Sequence, residues 1–121
     1  MGARVAMLGR VIERKLFRHY IGRIIGTVIS MILGVNVYDT QCGAKLFRVT
    51  AQTKTLFDAP FSAGWLFDVE VLQRLKMAGL DLDTSVYEYP LMVWHDIAGS
   101  KVKLSDFPKI LVALWRLYRM R

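Results

Sequence analysis

At 121 residues the chain is one small domain at most, and a domain of this size buries only about two-thirds of the surface its unfolded form exposes. Its 54% hydrophobic content and mean hydropathy of +0.30 exceed what a free soluble domain of this length needs, so apolar surface is expected to face another chain, a missing domain or a membrane. The net charge of +7 is segregated, residues 1–23 and 101–121 each carrying six cations and one carboxylate while 24–100 carry five cations and eight carboxylates, so the basicity belongs to two terminal segments and a basic nucleic-acid binder ranks third among the readings, behind lipid-directed ones.

Residues 8–33 read as helix, in one long piece or two, because Ile12, Leu16, Tyr20, Ile24 and Val28 recur at helical spacing while Arg10, Arg14 and Arg18 share another face. Gly22, Gly26, Ser30 and Gly34 repeat every four residues and leave a smooth strip where another backbone can approach. Gly34 ends the helix, 35–38 is a short strand, and a polar loop begins at Asp39, at the strand's carboxyl end where α/β folds hold ligands. A second short strand is expected at 45–49 and a helical turn at 51–57, before Pro60. A helix follows at 67–78, with Phe67, Val71, Leu75 and Ala78 on one face and Gly79 as its stop.

Residues 83–94 read as a strand, Pro90 marking an edge or a bulge, and 95–100 as a loop. Ser105 is expected to cap a last helix with Pro108 in its first turn. There Leu111, Leu114, Trp115 and Tyr118 oppose Lys109, Arg116, Arg119 and Arg121, the pattern of an interfacial helix. The cations of both ends are interleaved mainly with Ile, Leu, Val and Met, so the expected partner is anionic or phosphate-bearing lipid. The longest apolar run, 24–35, falls short of the about 20 residues that span a bilayer, and Arg10, Arg14, Lys15 and Arg18 interrupt any leader-like segment. A single cysteine excludes an intrachain disulfide and points to a reducing compartment. The expected location is the cytoplasmic face of a membrane, held peripherally.

Asp39-Thr40-Gln41-Cys42-Gly43-Ala44-Lys45-Leu46-Phe47-Arg48 puts a carboxylate, a turn glycine and two cations together directly after an apolar run, which is the chemistry of a site rather than of packing. Gly2-Ala3-Arg4 precedes it; Gly64-Trp65-Leu66-Phe67-Asp68-Val69-Glu70, Glu88-Tyr89-Pro90 and Gly99-Ser100-Lys101 follow. This ordered series, over residues 2–104, resembles the polyprenyl-phosphate branch of glycosyltransferase family 2, the dolichyl-phosphate glucosyltransferases and mannose synthases. Ala44 departs from that pattern, which has Phe there.

The resemblance implies a membrane-embedded polyprenyl phosphate that attacks the anomeric carbon of a nucleotide-activated sugar with inversion. A phosphate monoester has a second pKa of about 6, so the nucleophile is already ionised and needs positioning more than deprotonation. Arg4, Arg18 and Lys101 match the family's phosphate-binding cations, with Ser100 beside the last as a further donor. Asp39 matches a catalytic carboxylate that either orients the acceptor or takes a residual proton. Gln41 and Lys45 help to shape the sugar pocket, and Asp68 and Glu70 support it. Plainer readings stand beside these: a solvated surface cation for Arg4, Arg18 and Lys101, a turn residue bonding its own backbone for Asp39, and acids favoured at a helix start for Asp68 and Glu70. Cys42 reads as buried filler with no metal spacing near it, and Trp65 and Trp94 as packing rather than sugar platforms.

Asp81-Leu82-Asp83 has the Asp-x-Asp form of the family's metal site, but it lies after the Asp39 loop, and the family's metal-binding acids come before it. The divalent metal (Mg or Mn) expected for the complete enzyme therefore has no ligands in this chain, and the nucleotide-binding half is likewise missing. The expected fold class is α/β: the C-terminal half of a GT-A (Rossmann-like) glycosyltransferase domain with short strands and basic amphipathic helices. Residues 1–104 form its acceptor side and 105–121 an interfacial helix. Expected partners are polyprenyl phosphate, dolichyl or undecaprenyl, the membrane surface and, if the enzyme is split, a separate chain supplying the nucleotide-binding half; no nucleic acid. Alone, the chain is expected not to transfer sugar. The alternative is a non-catalytic membrane-surface or partner-binding module derived from such an enzyme.

Overall fold

Three helices carry the hydrophobic core in the computed structural model, which describes residues 1–13, 16–95 and 104–120, with backbone alone at 16–18 and 104. They are α1 (Leu16–Leu33), α3 (Phe67–Met77) and α5 (Phe107–Arg119), and each packs against the other two. Ile29, Ile32 and Leu33 of α1 meet Val69, Leu72 and Leu75 of α3 and Ile110, Leu114 and Leu117 of α5 in one buried cluster. Two single-turn helices, α2 (Ala51–Lys54) and α4 (Leu82–Ser85), lie between them in sequence. No helix among the described residues is long and apolar enough to cross a membrane.

Four short strands pair in parallel. β1 (Gly2–Ala3) pairs with β3 (Tyr89–Pro90), and β2 (Val11–Glu13) pairs with β4 (Val93–His95) in the register Ile12 to Trp94. The architecture is mixed α/β with short parallel strands. Pro90 sits on an edge, as its missing N–H requires.

α1 ends where Gly34 takes a φ of 71°, a left-handed conformation that costs glycine no side-chain clash, and returns its N–H to Ser30 O at 2.8 Å. The last turn of α1 holds no cation of its own; Lys76 of α3 supplies one by donating to Leu33 O at 2.6 Å.

Several expected elements take other forms. Helix does not run through 8–33: the Arg10 N–H closes a turn on Met7 O, and the β-branched pair Val11 and Ile12 joins β4 instead. Segment 35–38 is not a strand, because Ser30 Oγ takes both polar groups of Val37 and a side chain takes the next two N–H groups. Segment 45–49 is irregular, with Leu46 and Val49 largely exposed and no ladder partner among the described residues. Residues 83–94 divide into α4, β3 and β4, since the Asp81 carboxylate accepts the Asp83 N–H and starts a helical turn. Phe67 and Ala78 lie outside the buried face of α3, and Leu111, Trp115 and Tyr118 outside that of α5, which is Ile110, Leu114 and Leu117. Ser105 does not cap: it stands inside a 3-10 turn, Leu104–Asp106, that leads into α5. Arg121 and the expected loop beyond His95 lie outside the described residues.

Candidate functional site

The small-residue strip of α1 receives the chain's own backbone. A Cβ at Gly26 would come within 3.5 Å of Tyr38 O, and Ser30 Oγ donates to Val37 O at 3.0 Å while accepting the Val37 N–H at 3.2 Å. The next two N–H groups, of Tyr38 and Asp39, donate to the two carboxylate oxygens of Glu88, each at 2.8 Å. Helix α1 on one side and Glu88, just before β3, on the other thus set the backbone from which the Asp39 side chain projects.

That side chain meets Arg4. Arg4 Nε donates to Asp39 Oδ2 at 2.7 Å and Nη2 to Oδ1 at 2.8 Å, a two-pronged ion pair; the Arg4 backbone N–H adds a third bond to Oδ2 at 3.0 Å. With side chains 14% and 7% exposed, the pair is largely withdrawn from water, where charge-assisted bonds are strong. The Arg4 guanidinium also lies over the Trp94 ring at 5.2 Å, and the Arg23 guanidinium over the Tyr38 ring at 4.8 Å. Beneath the loop, Gly2 packs against Cys42, whose side chain is fully buried, and the Gly2 N–H donates to Ala44 O at 2.7 Å.

A second ion pair ties the far end of the loop to α3. Lys45 Nζ lies 2.9 Å from Asp68 Oδ1 and donates to Cys42 O at 2.5 Å. Two residues on, the carboxylate of Glu70, only 1% exposed, accepts the N–H groups of Ser62 at 2.8 Å and Ala63 at 2.7 Å and pairs with Arg74 at 2.8 Å. Arg74 in turn donates to the carbonyls of Leu56, Ala59 and Pro60. Burial pushes the Glu70 carboxyl upward, but the Ala63 N–H, the Arg74 guanidinium and the Ser62 N–H together outweigh it and hold the group below the ordinary glutamate range.

Of the residues expected in the site, Arg4 meets Asp39 and Lys45 meets Asp68, while Glu70 fixes the turn that leads into α3. Gln41 Nε2 is buried with no hydrogen-bond partner among the described residues. Arg18 lies in the first turns of α1, its side chain outside the described atoms; Ser100 and Lys101 lie outside the described residues. Sequence reasoning misses the roles of Glu88 and Trp94, because their contacts to Asp39 and Arg4 are long-range and carry no local periodicity. The signal available for Glu88 was a lone carboxylate between Tyr87 and Tyr89. Asp81 caps α4, and among the described residues no three His, Cys, Asp or Glu side chains cluster to hold a cation.

No family model matches the chain, and no solved structure does. Among curated proteins it is 34% identical over 112 residues to a dolichyl-phosphate beta-glucosyltransferase of Trichomonas vaginalis, covering 87% of this chain and 32% of that protein. It is 33% identical over 108 residues to the dolichyl-phosphate beta-glucosyltransferase of Saccharomyces cerevisiae, covering 87% of this chain and 30% of that protein. The chain thus spans about a third of the length of the curated relatives it matches.

Proposed function

From the premise that the chain belongs with the dolichyl-phosphate beta-glucosyltransferases, which it matches along 87% of its own length, we propose that it is the acceptor side of a membrane-associated inverting glycosyltransferase of GT-A type. Its lipid acceptor is a polyprenyl phosphate, and the nucleotide-sugar half of the enzyme belongs to chain beyond this third of the relatives' length. On this reading the phosphate oxygen bonds to the anomeric carbon as the nucleoside diphosphate leaves, with inversion.

The Arg4–Asp39 pair carries the proposal. A carboxylate that accepts from one guanidinium at both oxygens holds that guanidinium in place and has its lone pairs engaged, which favours Asp39 as the group that orients Arg4 over Asp39 as a general base. Arg4, and with it Arg18, Ser100 and Lys101, then grip the phosphate; Gln41 faces the sugar. Lys45, Asp68 and Glu70 hold the loop rigid around them. The described residues do not fit a divalent metal, so no step here runs through one.

Exposed apolar side chains on α1 (Tyr20, Ile24, Met31) and α5 (Leu111, Trp115, Tyr118), beside Arg116 and Arg119, suit a helix pair resting on a membrane. They also favour the second reading, a surface-binding module without chemistry. Sedimentation of the full chain with phosphatidylcholine vesicles holding either dolichyl phosphate or dolichol separates the two. Binding that needs the phosphate and falls about tenfold in Arg4→Ala supports the acceptor reading. Equal binding to both vesicles, unchanged by Arg4→Ala, overturns it in favour of the module.

A further inference from the structure

We propose that Glu88 is the positioning residue of the acceptor site, acting through Asp39 on Arg4; the inference rests on the reading of that pair as the phosphate grip. Glu88 Oε2 accepts the Tyr38 N–H and Oε1 the Asp39 N–H, each at 2.8 Å, so one carboxylate spans two successive peptide groups. Two charge-assisted bonds from one rigid group fix both the height and the tilt of that backbone, where a single bond would leave it free to rotate.

The fixed backbone decides where the next carboxylate points. Asp39 has only two side-chain torsions, so its oxygens reach the Nε and Nη2 edge of Arg4 only while its own peptide keeps its orientation. Arg4, lying over Trp94 of β4, takes its guanidinium plane from this contact. The chain of control runs from Glu88, beside β3, through the turn after α1, to a cation just past β1. Segment 35–38 has no ladder partner among the described residues, and Ser30 holds it at Val35, through its carbonyl, and at Val37, through its hydroxyl; without Glu88 the N–H groups of Tyr38 and Asp39 lose their acceptors.

The substitution Glu88→Gln tests this, because it keeps the shape but offers one acceptor oxygen and an NH2 group that faces a backbone donor. In the full chain, hydrogen exchange followed by NMR is expected to quicken about tenfold at the Tyr38 and Asp39 amides and at Arg4 Nε–H, with little change in α3. Titration with farnesyl phosphate is expected to show about tenfold weaker binding than the unsubstituted chain. A normal Arg4 Nε–H signal and unaltered farnesyl phosphate affinity in Glu88→Gln would overturn the proposal, and so would exchange that rises equally throughout α3. Should the variant not fold, the unsubstituted chain still decides: Tyr38 and Asp39 amides that exchange as fast as those of an open loop overturn it, and amides protected to the same degree as Arg4 Nε–H support it. Failure of farnesyl phosphate to shift Arg4 in the unsubstituted chain counts against the acceptor reading itself, whatever the exchange at Tyr38 and Asp39.

Discussion

Lys45 Nζ and Asp68 Oδ1 lie 2.9 Å apart with side chains 11% and 9% exposed, joining the loop that follows Asp39 to the first turn of α3. The Cys42 carbonyl accepts a further hydrogen bond from Lys45 and the helix start favours the acid, which together offset the cost of holding the pair out of water.

Once one partner is removed, removing the other should therefore cost less than it does on its own. Lys45→Met and Asp68→Asn are each expected to lower stability by about 3 kcal/mol, and the double variant by clearly less than their sum, a coupling of about 1–3 kcal/mol. Urea unfolding of the four chains checks this, and strict additivity would show that the contact contributes nothing.

Glu70 gives the fold a specific acid sensitivity. Its carboxyl titrates lower in the folded chain than the ordinary value of 4.5, so its contribution is fully present above that pH and is lost as the pH falls through the lowered folded value. The stability gap between the unsubstituted chain and Glu70→Gln should be constant at neutral pH and should narrow below about pH 4.5. Denaturant midpoints measured from pH 7 to pH 3 test the sign; a gap that widens on acidification contradicts the assignment.

Gly2 supports the Asp39 loop by lacking a side chain. A Cβ there would meet Ala44 Cβ, Cys42 Sγ and Leu91 Cδ2, each at 3.1 Å, closer than ordinary van der Waals contact. Gly2→Ala should be tolerated at small cost, whereas Gly2→Val should lose about 1–3 kcal/mol and expose the buried Cys42 thiol. The rate of Cys42 modification by a thiol reagent reads this directly; equal rates in the two variants would exclude crowding as the cause.

Trp115 on α5 is 56% exposed with Arg119 stacked on it at 4.7 Å, and Ile24 on α1 is 66% exposed. Each is expected to bury apolar surface in a lipid interface, so Trp115→Gln and Ile24→Gln should each weaken partitioning onto anionic vesicles by about tenfold without lowering the unfolding midpoint. A fall in the midpoint instead would mean that these side chains serve the fold.

The sequence alone determined the helices at α3 and α5, the end of α1 at Gly34, the burial of Cys42 and the kinship, because helical periodicity, turn glycines and ordered motifs are local properties of the chain. Tertiary structure decided the rest. Val11–Glu13 became a strand because β4 lay beside it, segment 35–38 lost its ladder to Ser30 and Glu88, and Arg4 found Asp39 across 35 positions of sequence. Such contacts depend on where distant backbones come to rest, and a single carboxylate such as Glu88 acquires its two N–H partners only when folding brings the turn after α1 against it.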